Sequence, residues 1–183
     1  MNFELSDELK MLREMAYKFA VTEFTPLIRE RDEHEKYTPE IRKKAAENGL
    51  VGAWVPEEYG GPGAGFLGNA IITEELSRVD MGIGLNVIAA AFGCEAIFQN
   101  GTEEQKQKYL PPVCRGEWVA AGAYTEPNAG TDSAAQQTVA VSSGDNFILE
   151  GSKVFITNGG EADILFILRH GKRPLWCSIL IIG

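Results

Sequence analysis

The sequence is poor in the residues that build metal sites and disulfide frameworks. Three cysteines (Cys94, Cys114, Cys177) and two histidines (His34, His170) are scattered through 183 residues. Their spacing matches no metal-ligand pattern, so no metal site is expected. An odd and small number of thiols reads as buried and reduced, which fits a reducing compartment. Long apolar runs are also lacking. A bilayer span needs roughly 20 apolar residues, and the longest candidate, residues 83–98, is interrupted by Gly84, Asn86, Gly93 and Glu95. Basic charge is scarce: 17 Lys and Arg against 26 Asp and Glu leave a net charge of −9. That argues against a nucleic-acid binder, which carries a basic surface. The chain opens on an acidic amphipathic segment, neither a secretory signal nor an Arg-rich transit peptide, so a cytoplasmic location is expected.

What is present is ordinary for a folded chain. Hydrophobic residues make up 44% and charged residues 23%, which excludes disordered and collagen-like classes. The length allows one domain or two small ones.

The first part reads as helical. Ser6 with Asp7 and Glu8 makes a helix start, and Leu9, Leu12, Ala16, Phe19 and Ala20 share one face. Pro26 should kink or end that helix. Thr38 is a candidate cap for a second helix with Pro39 in its first turn, closed by Gly49. The cluster at 29–36 reads as a solvated charged face. A third helix is expected around Ile71, Ile72, Leu76 and Val79, and a single buried fourth over 83–98. Thr102-Glu103-Glu104-Gln105 is a capping-box pattern that starts a fifth helix, which Pro111 and Pro112 should stop.

The second part changes character. Residues 138–141, 147–149, 153–157, 164–168 and 175–182 read as strands, with turn chemistry at 143–146 and 150–152. The fold class is therefore α+β: an N-terminal all-helical domain over 1–116, followed by an incomplete antiparallel β-domain over 117–183. A last strand with nothing to cover it predicts self-association through an open edge.

Two segments could carry chemistry. In Ala123-Tyr124-Thr125-Glu126-Pro127-Asn128-Ala129-Gly130-Thr131-Asp132, small residues, hydroxyls, a proline and a glycine follow a strand. Such a loop can offer N–H groups and hydroxyls to an anionic or heteroaromatic ligand, or can be only a structured turn. In Gly151-Ser152-Lys153-Val154-Phe155-Ile156-Thr157-Asn158-Gly159-Gly160, a strand would carry Phe155 and Thr157 on one face. An aromatic plane beside a hydroxyl suits a flat ring with polar edges, or is only core and hairpin. Glu126 reads as a loop-structuring carboxylate and Tyr59 as a loop anchor.

Taken together, these segments resemble the acyl-CoA dehydrogenase family of flavoproteins. The first is similar to its TEPxxGSD signature, with Thr131 in place of serine, and the second to its GxKxxITNG signature. Val55-Pro56-Glu57-Glu58-Tyr59-Gly60-Gly61, Thr73-Glu74-Glu75-Leu76 and Gly101-Thr102-Glu103-Glu104-Gln105-Lys106-Gln107-Lys108-Tyr109-Leu110 support the match. The resemblance covers residues 1 to about 168.

The resemblance implies FAD as cofactor and an acyl-CoA thioester as substrate. The reaction would give a trans-2-enoyl-CoA, with hydride transfer to flavin N5. It implies an electron-transferring flavoprotein as acceptor and a homo-oligomer, a dimer or tetramer in full-length form. Tyr124 and Thr125 would line the polar edge of the flavin. Thr157 would bond near N5 and O4, and Phe155 would pack on the ring face. Gly130 and Thr131 would meet the pyrophosphate, with Thr131 also toward substrate. Family members often carry an aromatic residue at the position of Gly122; here the aromatic is Tyr124. The family's catalytic carboxylate and C-terminal helical domain are expected beyond this chain, so no residue is assigned as base. The rival readings are a helical and β module without flavin, and a flavin oxidase or monooxygenase of the same superfamily.

Overall fold

A computed structural model describes residues 4–35, 38–144, 146–170 and 176–181, the last stretch as backbone only. Helix α1 (Asp7–Phe24) begins where Ser6 Oγ accepts the Leu9 N–H at 3.3 Å and stops just before Pro26. The charged stretch that follows is helical as well. α2 (Ile28–His34) closes on Glu35, whose φ of 51° is left-handed and whose N–H returns to the Arg31 carbonyl. α3 (Pro39–Glu47) starts at Pro39, with no capping bond from the Thr38 side chain. The Thr38 carbonyl instead accepts the Ile41 N–H at 3.3 Å. A 3-10 turn, Glu57–Tyr59, leads to α4 (Gly65–Val79). The Tyr59 hydroxyl donates to Glu103 Oε2 at 2.8 Å, so Tyr59 anchors this loop to the next helical layer.

The apolar stretch expected as one helix is two. α5 (Met81–Ile88) is capped by Asp80, and α6 (Cys94–Asn100) starts after Gly93 at φ 93°. Between them the Ala90 carbonyl accepts the Ala120 N–H at 2.8 Å, so the chain leaves helical geometry to meet a strand. α7 (Glu103–Cys114) carries the full capping box of Thr102 and Gln105, and it does not stop at its prolines. Pro111 and Pro112 sit in its last turn. The carbonyls they leave without donors belong to exposed Gln107 and Lys108, where water can satisfy them. Replacing Thr102 with alanine is expected to cost about 1 kcal/mol of stability by chemical denaturation, the usual worth of an N-cap.

The β part holds two small sheets. β1 (Ala120–Ala123), β4 (Ile164–Arg169) and β5 (Trp176–Ile181) form one, in the order β1-β4-β5. β2 (Val139–Ser143) and β3 (Asn146–Glu150) form a hairpin. The α+β class holds, with one departure from the antiparallel expectation. β1 runs parallel to β4, pairing Ala120 with Ile164 and Ala123 with Ile167, while β4 and β5 are antiparallel. Residues 153–157 are not a strand. Phe155 has φ 57°, outside regular strand geometry, and the segment ends in a turn at 157–161.

One core spans both parts. Phe24, Leu50, Ile72 and Leu110 from the helical part share it with Ile164 and Phe166 of β4, all fully buried. Cys94 and Cys114 are buried free thiols, and burial pushes Cys114 up to about 11. The Cys177 side chain lies outside the described residues. Among the described residues no cluster of His, Cys, Asp or Glu is placed to hold a metal ion, and no helix is long and apolar enough to cross a membrane.

Candidate functional site

β1 is built from alanines and one glycine, which lets it lie close to the helical layer and deliver Tyr124 and Thr125 at its exit. The chain then turns tightly. The Glu126 N–H donates to the Ala129 carbonyl at 2.9 Å and the Ala129 N–H returns to Glu126 at 3.2 Å, with Pro127 and Asn128 at the tip. Gly130 and Thr131 follow, both exposed, and a side chain added at Gly130 would meet nothing within 4 Å. The space beside this glycine is open.

The second segment clasps the first. The Val154 N–H donates to the Thr125 carbonyl at 2.9 Å. Lys153 reaches beneath the same loop with all its donors engaged: Glu126 Oε1 at 2.8 Å, Gln136 Oε1 at 2.9 Å and the Tyr124 carbonyl at 3.1 Å. The Gln136 amide donates to the Tyr124 carbonyl as well, at 2.7 Å. Glu126 also accepts the N–H groups of Gln137 and Thr138, at 2.7 and 2.9 Å. Burial pushes the Glu126 carboxyl up. The Lys153 ammonium and the two backbone donors outweigh burial and hold it at about 2. Glu126 is thus a fixed anion that organises the loop, a poor general base with its oxygens already engaged.

Phe155 projects from this clasp with its side chain 93% exposed at a positive φ. A left-handed phenylalanine with no packing partner is uphill in two ways, in backbone strain and in exposed ring area. Thr157 is half-buried two residues on, before Asn158 at φ 60°. Tyr124 is partly exposed, and its ring lies where a side chain at position 122 would have to go. This explains how Gly122 and Tyr124 occur together: the tyrosine ring fills the place that a larger residue at 122 would claim.

Of the sequence-predicted residues, the structure brings Tyr124 and Thr125 beside the segment carrying Phe155 and Thr157. Gly130 and Thr131 lie beyond the turn, and among the described residues no hydrogen bond joins them to Phe155 or Thr157. Sequence reasoning missed Lys153 and Gln136 as organisers of the site. Lys153 stands inside the second motif, so a signal existed there; Gln136 gave none.

Two family models match the chain. One describes the acyl-CoA dehydrogenase N-terminal domain, over residues 6–117, and the other the acyl-CoA dehydrogenase middle domain, over residues 121–178. A short-chain specific acyl-CoA dehydrogenase of Clostridium acetobutylicum is 46% identical over 174 residues, covering 94% of this chain and 46% of that protein. The structure of butyryl-CoA dehydrogenase from Megasphaera elsdenii superposes with a TM-score of 0.90 at 35% identity, over 100% of this chain and 50% of that one. A structure of PigA with FAD and proline superposes at 0.89 and 32% identity, again over 100% and 50%. The chain spans about half the length of the curated relatives it matches.

Proposed function

Because the chain belongs to the acyl-CoA dehydrogenase family, we propose that it carries the flavin-facing half of a FAD-dependent oxidoreductase that desaturates an acyl-CoA thioester between its α and β carbons. The observation that carries this reading is the clasp of the two signature segments, fastened by the Val154 N–H on the Thr125 carbonyl. In this reading residues 1–116 form the helical domain and 117–183 the flavin-facing β part. An electron-transferring flavoprotein receives the electrons, the enzyme works as a homo-oligomer, and it resides in the cytoplasm.

The residues present fit the cofactor. The exposed Phe155 ring offers a face for a flat heterocycle, and Thr157, half-buried two residues on, would offer its hydroxyl to a ring-edge atom. Thr125 and Tyr124 line the polar edge. Gly130 leaves open space for a pyrophosphate, and Thr131 offers a hydroxyl there and toward substrate. When bound, FAD supplies the acceptor for the hydride that leaves the β-carbon. The protein's part is to hold the ring edge with fixed donors, which favours negative charge on it without reorganisation during reaction. No residue of the chain is assigned as the base.

Titration of the chain with FAD is the direct test. Uptake should quench flavin fluorescence, and Phe155→Ala should weaken binding roughly tenfold, the loss of one aromatic stack. Thr157→Ala should weaken it by a smaller factor, since a single hydrogen bond is worth about 1 kcal/mol. A chain that takes up no FAD, or whose uptake is indifferent to both substitutions, overturns the reading.

A further inference from the structure

Lys153 and Gln136 converge on one atom, the Tyr124 carbonyl oxygen, at 3.1 and 2.7 Å. The N–H of that same peptide group belongs to Thr125. It donates to no partner among the described residues, although Thr125 is half-buried. A peptide whose carbonyl accepts two bonds, one from an ammonium, is polarised, and each bond strengthens the N–H on its far side by about 10–30%. Lysine suits this place. Its ammonium has three donors pointing apart, and Tyr124, Glu126 and Gln136 use them all; a guanidinium holds its donors in one plane instead.

The pair of Lys153 and Glu126 is deeply buried, with side chains 11% and 6% exposed. A buried ion pair is weak evidence for stability, because an apolar pair of similar volume often serves as well. What an apolar pair could not supply is a cation behind the Tyr124 carbonyl.

We infer that Lys153, with Gln136, is a positioning residue that polarises the Tyr124–Thr125 peptide and makes the Thr125 N–H a strengthened donor for an electron-rich edge atom of the ligand. The identity of that ligand as a flavin rests on the reading above; the polarised donor does not. Glu126 keeps the ammonium neutralised and aimed, so the device acts by directed hydrogen bonding and adds no net charge to the site.

The test uses the ¹⁵N-labelled chain, first without ligand and then with FAD. Gln136→Met removes one donor and leaves the ion pair in place; Lys153→Met removes the other. In each, the Thr125 amide ¹⁵N resonance should move upfield while resonances of the helical part stay put. With FAD bound, the flavin absorption band should shift and the Kd should rise about two- to tenfold, the loss of part of one hydrogen bond. If Lys153→Met does not fold, Gln136→Met alone decides the matter. An unmoved Thr125 resonance in a folded variant overturns the inference, whether or not FAD binds. An unmoved flavin band with weakened binding also overturns it, since that pattern is loop disorder alone. A parent chain that ignores FAD, in which the Thr125 resonance still moves on substitution, supports the polarised donor and overturns the flavin reading.

Discussion

Gly93→Ala should lower the unfolding free energy by about 3 kcal/mol, and Gly93→Val by more, read as a drop of roughly 6–12 °C in melting temperature. Two costs add. Gly93 has φ 93°, which an L side chain adopts only with about 1–2 kcal/mol of strain. Its missing side chain is also required by its neighbour: a Cβ there would overlap the Cβ, Cγ and Cδ2 edge of Phe166, which is fully buried. Overpacking of that kind costs about 1–3 kcal/mol. The lower entropy of an unfolded alanine returns less than about 1 kcal/mol. Gly130→Ala is the control, since nothing lies within 4 Å of its Cβ position; it should stay within about 0.5 kcal/mol of the parent. Equal stability of Gly93→Ala and the parent would refute the account. The consequence reaches the candidate site, because Phe166 sits on β4, β4 pairs with β1, and β1 delivers Tyr124 and Thr125.

That same contact shows why the chain was only partly legible. Features set by neighbours in sequence were readable: the Ser6 cap, the Thr102 capping box and the hairpin turn after Ser143 all depend on residues a few positions apart. The break before Gly93 was not, because there the chain leaves the helix to pair Ala90 with Ala120, and the phenylalanine that requires glycine at 93 lies 73 positions later. The 153–157 stretch is a short apolar run, Val154-Phe155-Ile156, between two polar ends, which reads as a strand from its β-branched and aromatic content. Lys153 is pulled inward by Glu126, Gln136 and the Tyr124 carbonyl, and the backbone turns left-handed at Phe155. A one-dimensional pattern cannot show that a buried ammonium outweighs strand propensity. Pro111 and Pro112 misled for a related reason. Their cost depends on where the orphaned carbonyls point, and here they face water. The two motif segments were legible in the sequence, while Gln136, which helps hold the first of them in place, needed the fold.

Glu126→Gln should cost about 3 kcal/mol or more at neutral pH, because it leaves the Lys153 ammonium buried without its counter-charge. The loss should vanish in acid, with a sign that can be worked out. The Glu126 carboxyl is held at about 2 in the folded chain, below its ordinary value of 4.5. A carboxylate depressed in this way contributes stability that is present above the unfolded value and is lost as pH falls through the folded one. Urea midpoints of parent and variant should therefore stand farthest apart above pH 4.5 and draw together as pH approaches 2. Carboxylates elsewhere titrate alike in both proteins, so the difference between the curves isolates this residue. A gap that holds its size down to pH 2 would show that the Glu126 charge does not stabilise the fold. Replacing both partners, with methionine at positions 126 and 153, separates charge from position. An apolar pair of this kind recovers most of the stability in other proteins, and here it should do so without restoring the Thr125 resonance. Stability and donor strength would then be two separable products of one buried ion pair, with the second fixed by where the ammonium points.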